Sequence, residues 1–117
     1  MSYSGAERRK HPRIFARFIV SYRVLEQANN VDISQTKNIS LGGMLLTTNK
    51  TFRPGTNLAL EIRLPFAPRP ITIVSRVIES KEITKGLIYD TRLEFLSVDE
   101  KQFKVVKDTV EFYLRKK

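Results

Sequence analysis

From Ile14 to Leu25 the chain alternates. Ala16, Phe18, Val20, Tyr22 and Val24 share one phase, and Arg17, Ile19, Ser21 and Arg23 the other. A period of two predicts a strand with one buried face. Gln27, Asn29 and Asn30 then mark a turn, and a second, weakly patterned strand is expected over 32–38. Met44 to Thr47 is a short apolar strand. Arg53-Pro54-Gly55-Thr56 is a turn with Pro and Gly in type II positions. Leu58, Leu60, Ile62 and Leu64 alternate with Ala59, Glu61 and Arg63, which predicts another half-buried strand. The three prolines of 65–70 make that stretch a connection and not a central strand. Ile71 to Glu79 is β-branched. After a turn at Lys85-Gly86, Leu87, Tyr89, Thr91, Leu93 and Phe95 alternate again.

The period then changes. Phe103, Val106, Val110 and Tyr113 recur at helical spacing, with Lys104, Lys107, Asp108 and Glu111 between them. Ser97 followed by Glu100 has the spacing of a capping box, so a helix is expected over 98–115. Its end, Arg115-Lys116-Lys117, places positive charge where the helix dipole favours it. Short strands at regular spacing and one terminal helix predict a mostly β fold: a small antiparallel six-stranded β-barrel with a C-terminal helix. Phe18, Tyr22, Phe95, Phe103 and Tyr113 are expected in the core. Residues 1–8 are polar and expected to form a flexible arm, with 9–117 as one domain.

Composition narrows the function. The 117 residues fit a single domain, which can bury roughly two thirds of its unfolded surface without a staple. There is no Cys, which excludes disulfides and thiolate metal sites, and His11 alone cannot build a multi-His centre. No apolar run approaches the ~20 residues that span a bilayer, and the first residues lack the apolar core of a signal peptide. A cytoplasmic protein without membrane insertion is expected. Acidic residues are scattered singly, and neither a phosphate-binding Gly-rich loop nor a Ser-His-Asp order is present. Binding is therefore favoured over catalysis, with no cofactor implied. Twenty-one basic against twelve acidic residues give a net charge of +9, which points to an anionic partner.

Two stretches carry the candidate chemistry. Arg8-Arg9-Lys10-His11-Pro12-Arg13 is a knot of positive charge in which Arg9 and Arg13 are spaced Arg-x-x-x-Arg. Pro12 biases His11 away from helix, so the segment is expected to be an extended strap. Its guanidinium forks can bind phosphate, pair with the O6/N7 edge of guanine, or stack on a base. The second stretch, Asn38-Ile39-Ser40-Leu41-Gly42-Gly43, offers an amide, a hydroxyl and flexible backbone. Taken singly, the first also fits a solvated basic tail and the second a hairpin turn with an Asx bond.

Together, in this order and flanking one hairpin, Arg9-x-x-x-Arg13 and Asn38-x-Ser40-x-x-Gly43 resemble the paired signature of PilZ domains. That signature is Arg-x-x-x-Arg followed by Asp/Asn-x-Ser-x-x-Gly. The resemblance covers nearly the whole chain and implies a bacterial receptor for cyclic di-GMP. It implies a ligand site of Arg8, Arg9, Arg13, Asn38, Ser40 and Gly43. Arg9 and Arg13 would meet guanine or phosphate, and Arg8 and Lys10 would add phosphate contacts. Asn38 would accept from a guanine N–H, Ser40 would meet phosphate or a base edge, and Gly43 would let the ligand approach the backbone. The last strand departs from the family, in which Gly often precedes the Phe; here the run is Thr91-Arg92-Leu93-Glu94-Phe95. As a lone domain the chain is expected to relay the signal through an unidentified protein effector, by ordering its arginine strap. Two alternatives stand beside this reading. One is a small basic barrel that binds nucleic acid, disfavoured because the aromatics fall on the core phase and not on an exposed stacking face. The other is a degenerate PilZ fold acting only in protein–protein interaction. Oligomeric state and ligand stoichiometry have no signal in the sequence.

Overall fold

A computed structural model describes residues 11–27 and 30–116. The expected flexible arm over 1–8 lies outside the described residues, as do Arg8, Arg9 and Lys10 of the strap. Among the described residues six strands form one antiparallel barrel: β1 (Ile19–Val24), β2 (Asp32–Ile39), β3 (Gly43–Thr48), β4 (Asn57–Ile62), β5 (Ile71–Thr84) and β6 (Ile88–Ser97). The order around the barrel is β1-β2-β3-β6-β5-β4, and β4 pairs back onto β1. Helix α1 (Glu100–Arg115) follows β6. No helix among the described residues is long and apolar enough to cross a membrane.

The alternating residues fill the barrel. Val20, Leu46, Leu58, Leu60, Ile62 and Ile73 are fully buried. The Arg53–Thr56 turn closes as expected: Thr56 N–H donates to the Arg53 carbonyl at 3.1 Å, and Gly55 has φ 92°. That left-handed backbone suits glycine and fits position three of a type II turn.

Several boundaries differ from the sequence reading, each for a local reason. The first strand begins at Ile19, not Ile14. Before it, the Thr36 hydroxyl intrudes: it accepts from Phe18 N–H at 3.0 Å and donates to the Ala16 carbonyl at 2.6 Å. A side chain has replaced ladder bonds there. Ile14 still exchanges both backbone bonds with Ile39, at 2.9 and 3.0 Å, so the strap is tied to the end of β2. Strand β5 runs to Thr84 and not Glu79, as half of a two-stranded overhang with β6. Beyond the half-buried Ser80, its added residues Lys81, Glu82, Ile83 and Thr84 are exposed, so no hydrophobic phase announced them.

Helix α1 starts at Glu100, and its cap is Asp99, not Ser97. Asp99 Oδ1 accepts from Gln102 N–H at 2.8 Å, while Ser97 ends β6. Pairing in β6 consumed the first candidate cap, and Asp99-x-x-Gln102 met the same spacing two residues later. Val106, Thr109 and Val110 form the buried face. Phe103 is 39% exposed and not a core residue. The aromatic docking falls further along, on Tyr113 and Phe112. Tyr113 meets Phe18 edge-on at 5.6 Å, and Phe112 meets Phe66 at 5.1 Å. Phe18 precedes β1 and Phe66 follows β4, so the helix packs against the barrel end where those paired strands begin and stop.

Candidate functional site

A cleft of about 280 Å³ opens on the outer wall of the barrel. Arg13, Asn38, Ser40 and Gly43 all line it. The structure thus brings together four of the six residues singled out in the sequence; the other two, Arg8 and Arg9, lie outside the described residues. The Ile14–Ile39 bridge explains the convergence, because it sets Arg13 beside the end of the strand that carries Asn38.

A β-bulge aims Asn38. Thr36 pairs with Leu46 and Asn38 with Leu45, so β2 spends two residues where β3 spends one. Without that slip Asn38 would share the inward phase of Thr36; with it, Asn38 joins Leu45 on the outer wall. Asn38 is nonetheless only 7% exposed, because the strap lies along this edge. Among the described residues its side-chain amide has no hydrogen-bond partner, so its donor and acceptor face the cleft unspent.

Ser40 shapes the turn between β2 and β3. Its Oγ accepts from Gly42 N–H at 3.1 Å, and its N–H donates to the Gly43 carbonyl at 2.9 Å. The hydroxyl keeps a second lone pair for a ligand. The two glycines serve different neighbours. At Gly42 a Cβ would stand 2.9 Å from the His11 ring, so glycine there lets the strap close over the turn. At Gly43 a Cβ would stand 2.1 Å from the Leu93 carbonyl of β6. Glycine at 43 is thus required by strand packing against β6, a demand the sequence reading did not foresee. Neither has positive φ.

The opposite wall comes from β6 and β5. Arg92 and Glu94 alternate with the buried Thr91 and Leu93, so they point outward, and both line the cleft. Arg76 pairs with the Glu94 carboxylate and Arg92 with Glu79, and Arg13 and Arg92 bring two guanidinium groups to the cleft lining. A second bulge, between Val77 and Glu79, displaces Ile78 to the cleft rim, where it is 42% exposed. His11, Arg92 and Glu94 had no assigned role in the sequence. The alternation in β6 placed Arg92 and Glu94 outward, but only the pairing of β3 with β6 shows which outer wall they share.

Comparisons with known proteins place this fold. The PilZ domain family model matches residues 7–112. Among solved structures, the Bacillus subtilis inhibitor of motility MotI/DgrA superposes with a TM-score of 0.76 at 23% identity, covering 93% of this chain and 53% of that one. The PilZ domain of Escherichia coli YcgR with c-di-GMP gives 0.68 at 16% identity, covering 93% of both chains. The complex of K. pneumonia MrkH with c-di-GMP gives 0.67 at 20% identity, covering 93% and 55%. The chain thus spans about half the length of MotI/DgrA and MrkH, and at these identities the likeness speaks to the fold. No curated protein matches the chain. The family model runs from the arginine strap through the barrel and into α1, and on that match the chain belongs to the PilZ domain family.

Proposed function

We propose that this chain is a receptor for cyclic di-GMP, acting in the bacterial cytoplasm and not as an enzyme. The observation that carries the reading is the convergence of Arg13, Asn38, Ser40 and Gly43 on one cleft, from segments 25 or more residues apart in the chain. The ligand carries two guanines and two phosphates in a ring. Arg13 supplies a fork for phosphate or for the guanine O6/N7 edge, and Asn38 accepts from a guanine N–H. Ser40 adds a hydroxyl within the same turn. Arg8 and Arg9 reach the ligand from the strap, which closes over the cleft when the ligand is bound. Closure changes the surface presented to a partner protein, and that change is the relayed signal. Support for this ligand also comes from the YcgR PilZ domain and MrkH, whose solved structures are complexes with c-di-GMP. A nucleic-acid platform has less support. The exposed aromatics Phe15, Phe66, Phe103 and Phe112 lie before β1, after β4 and on α1, and form no row along one strand.

Isothermal titration of the purified protein with cyclic di-GMP in about 150 mM salt, where loose charge attraction is screened, tests the reading. Saturable heat is expected from the native chain. Arg13→Ala and Arg9→Ala should each weaken binding about 10- to 100-fold, the worth of one good bidentate contact, with unchanged melting temperatures. Absence of saturable heat from the native chain overturns the reading.

A further inference from the structure

The β6 side of the cleft holds a guanidinium that no motif assigned. Arg92 faces Leu45 across β3, and Leu45 faces Asn38 across β2. Arg92 thus lies in the same cross-strand row as Asn38, two strand spacings or about 10 Å away. Its Nε is buried and, among the described residues, has no hydrogen-bond partner. The nearest anion is Glu79, whose Oε2 lies 3.7 Å from that Nε. This is ion-pair range but too long for a hydrogen bond. The two side chains are 43% and 57% exposed, so water screens their attraction and the pair holds Arg92 only loosely. A buried N–H without an acceptor is a standing cost that an acceptor arriving in the cleft removes. The bulge after Val77 adds Ile78 beside the fork as an apolar rim.

We propose that Arg92 is a further ligand-binding residue. It takes a pair of acceptors, phosphodiester oxygens or guanine O6/N7, from the β6 side while Arg13 reaches in from the strap. Glu79 holds the guanidinium in place when the cleft is empty and competes with the ligand for it. This rests on the cyclic di-GMP reading above and extends it to a residue outside the paired signature. The planar fork matters as well as the charge, because it matches two acceptors at once.

The test is titration of cyclic di-GMP into the native chain, Arg92→Gln, Arg92→Lys and Glu79→Gln, each with a melting curve. Arg92→Gln should bind about 10- to 100-fold more weakly, as expected for a lost bidentate contact. Arg92→Lys should recover part of that loss, and Glu79→Gln should bind severalfold more tightly, since the competing carboxylate is gone. A 7-deazaguanine analogue of the ligand separates the two acceptor sources. The analogue lacks N7 but keeps O6, so an Arg92→Gln penalty that shrinks with it assigns the base edge, and one that persists in full assigns the phosphodiester. If the native chain saturates and Arg92→Gln binds within twofold of it, this inference alone is overturned. If the native chain does not bind, the ligand reading falls and this inference with it. Should Arg92→Gln melt early, Glu79→Gln decides: no gain in affinity overturns the competition and with it the role of Arg92.

Discussion

Strands β3 and β6 carry two faces with opposite duties. Inward, Leu46 and Leu93 are almost fully buried in an apolar core; outward, Leu45, Arg92 and Glu94 line a polar cleft. The inner face is a matter of volume, since any loss of packing is felt as lost stability. The outer face is a matter of direction, since its groups are of use only if bulges and strand neighbours aim them at one space. A substitution should therefore harm folding on one face and binding on the other, and the two effects should separate cleanly.

The broadest expected effect, on folding and binding together, lies where the faces meet. Gly43→Ala would drive a Cβ to 2.1 Å from the Leu93 carbonyl. Strand β3 would have to part from β6, a strain at or above the ~1–3 kcal/mol typical of overpacked sites. Chemical denaturation should show the loss, and ligand binding should fall with it. On the inner face alone, Leu46→Ala should cost about 2–5 kcal/mol of stability and leave the affinity of the folded fraction unchanged. On the outer face alone, Asn38→Ala should do the reverse. Calorimetry should show about tenfold weaker binding, near the low end of a specific base-edge contact, with little change in denaturation midpoint. Asn38→Asp sharpens the same point: a charged acceptor makes a stronger hydrogen bond, so affinity should rise. The smallest effect belongs to neither face. Asp99→Ala removes the cap of α1 and should cost about 1 kcal/mol by denaturation, without altering titration.

The same contrast explains what could be read in the sequence. Strand positions and the helix came from alternation that burial enforces, so Phe18, Val20 and Tyr22 were legible as core. Where burial does not enforce a pattern, legibility failed. The exposed overhang of β5 beyond Glu79 and the choice of Asp99 over Ser97 as cap are of this kind. Phe103 is the converse error: its spacing matched the helix face, yet docking through Phe112 and Tyr113 left it exposed. In the site, the paired motifs marked Arg13, Asn38, Ser40 and Gly43, but not why they meet. The bulge that aims Asn38 and the neighbour of Gly43 depend on strand pairing. Arg92 was invisible for the same reason, since β3 and β6 are far apart in sequence and adjacent only in the closed barrel.

The central claim is that cyclic di-GMP occupies the outer wall between β2 and β6. The most direct measurement is a backbone amide NMR titration of the native chain with that ligand. Saturable shifts should concentrate at Asn38, Ser40, Gly43 and Arg92, with α1 and the β5–β6 overhang quiet. Saturable shifts confined to any other surface, or none at all, would contradict it.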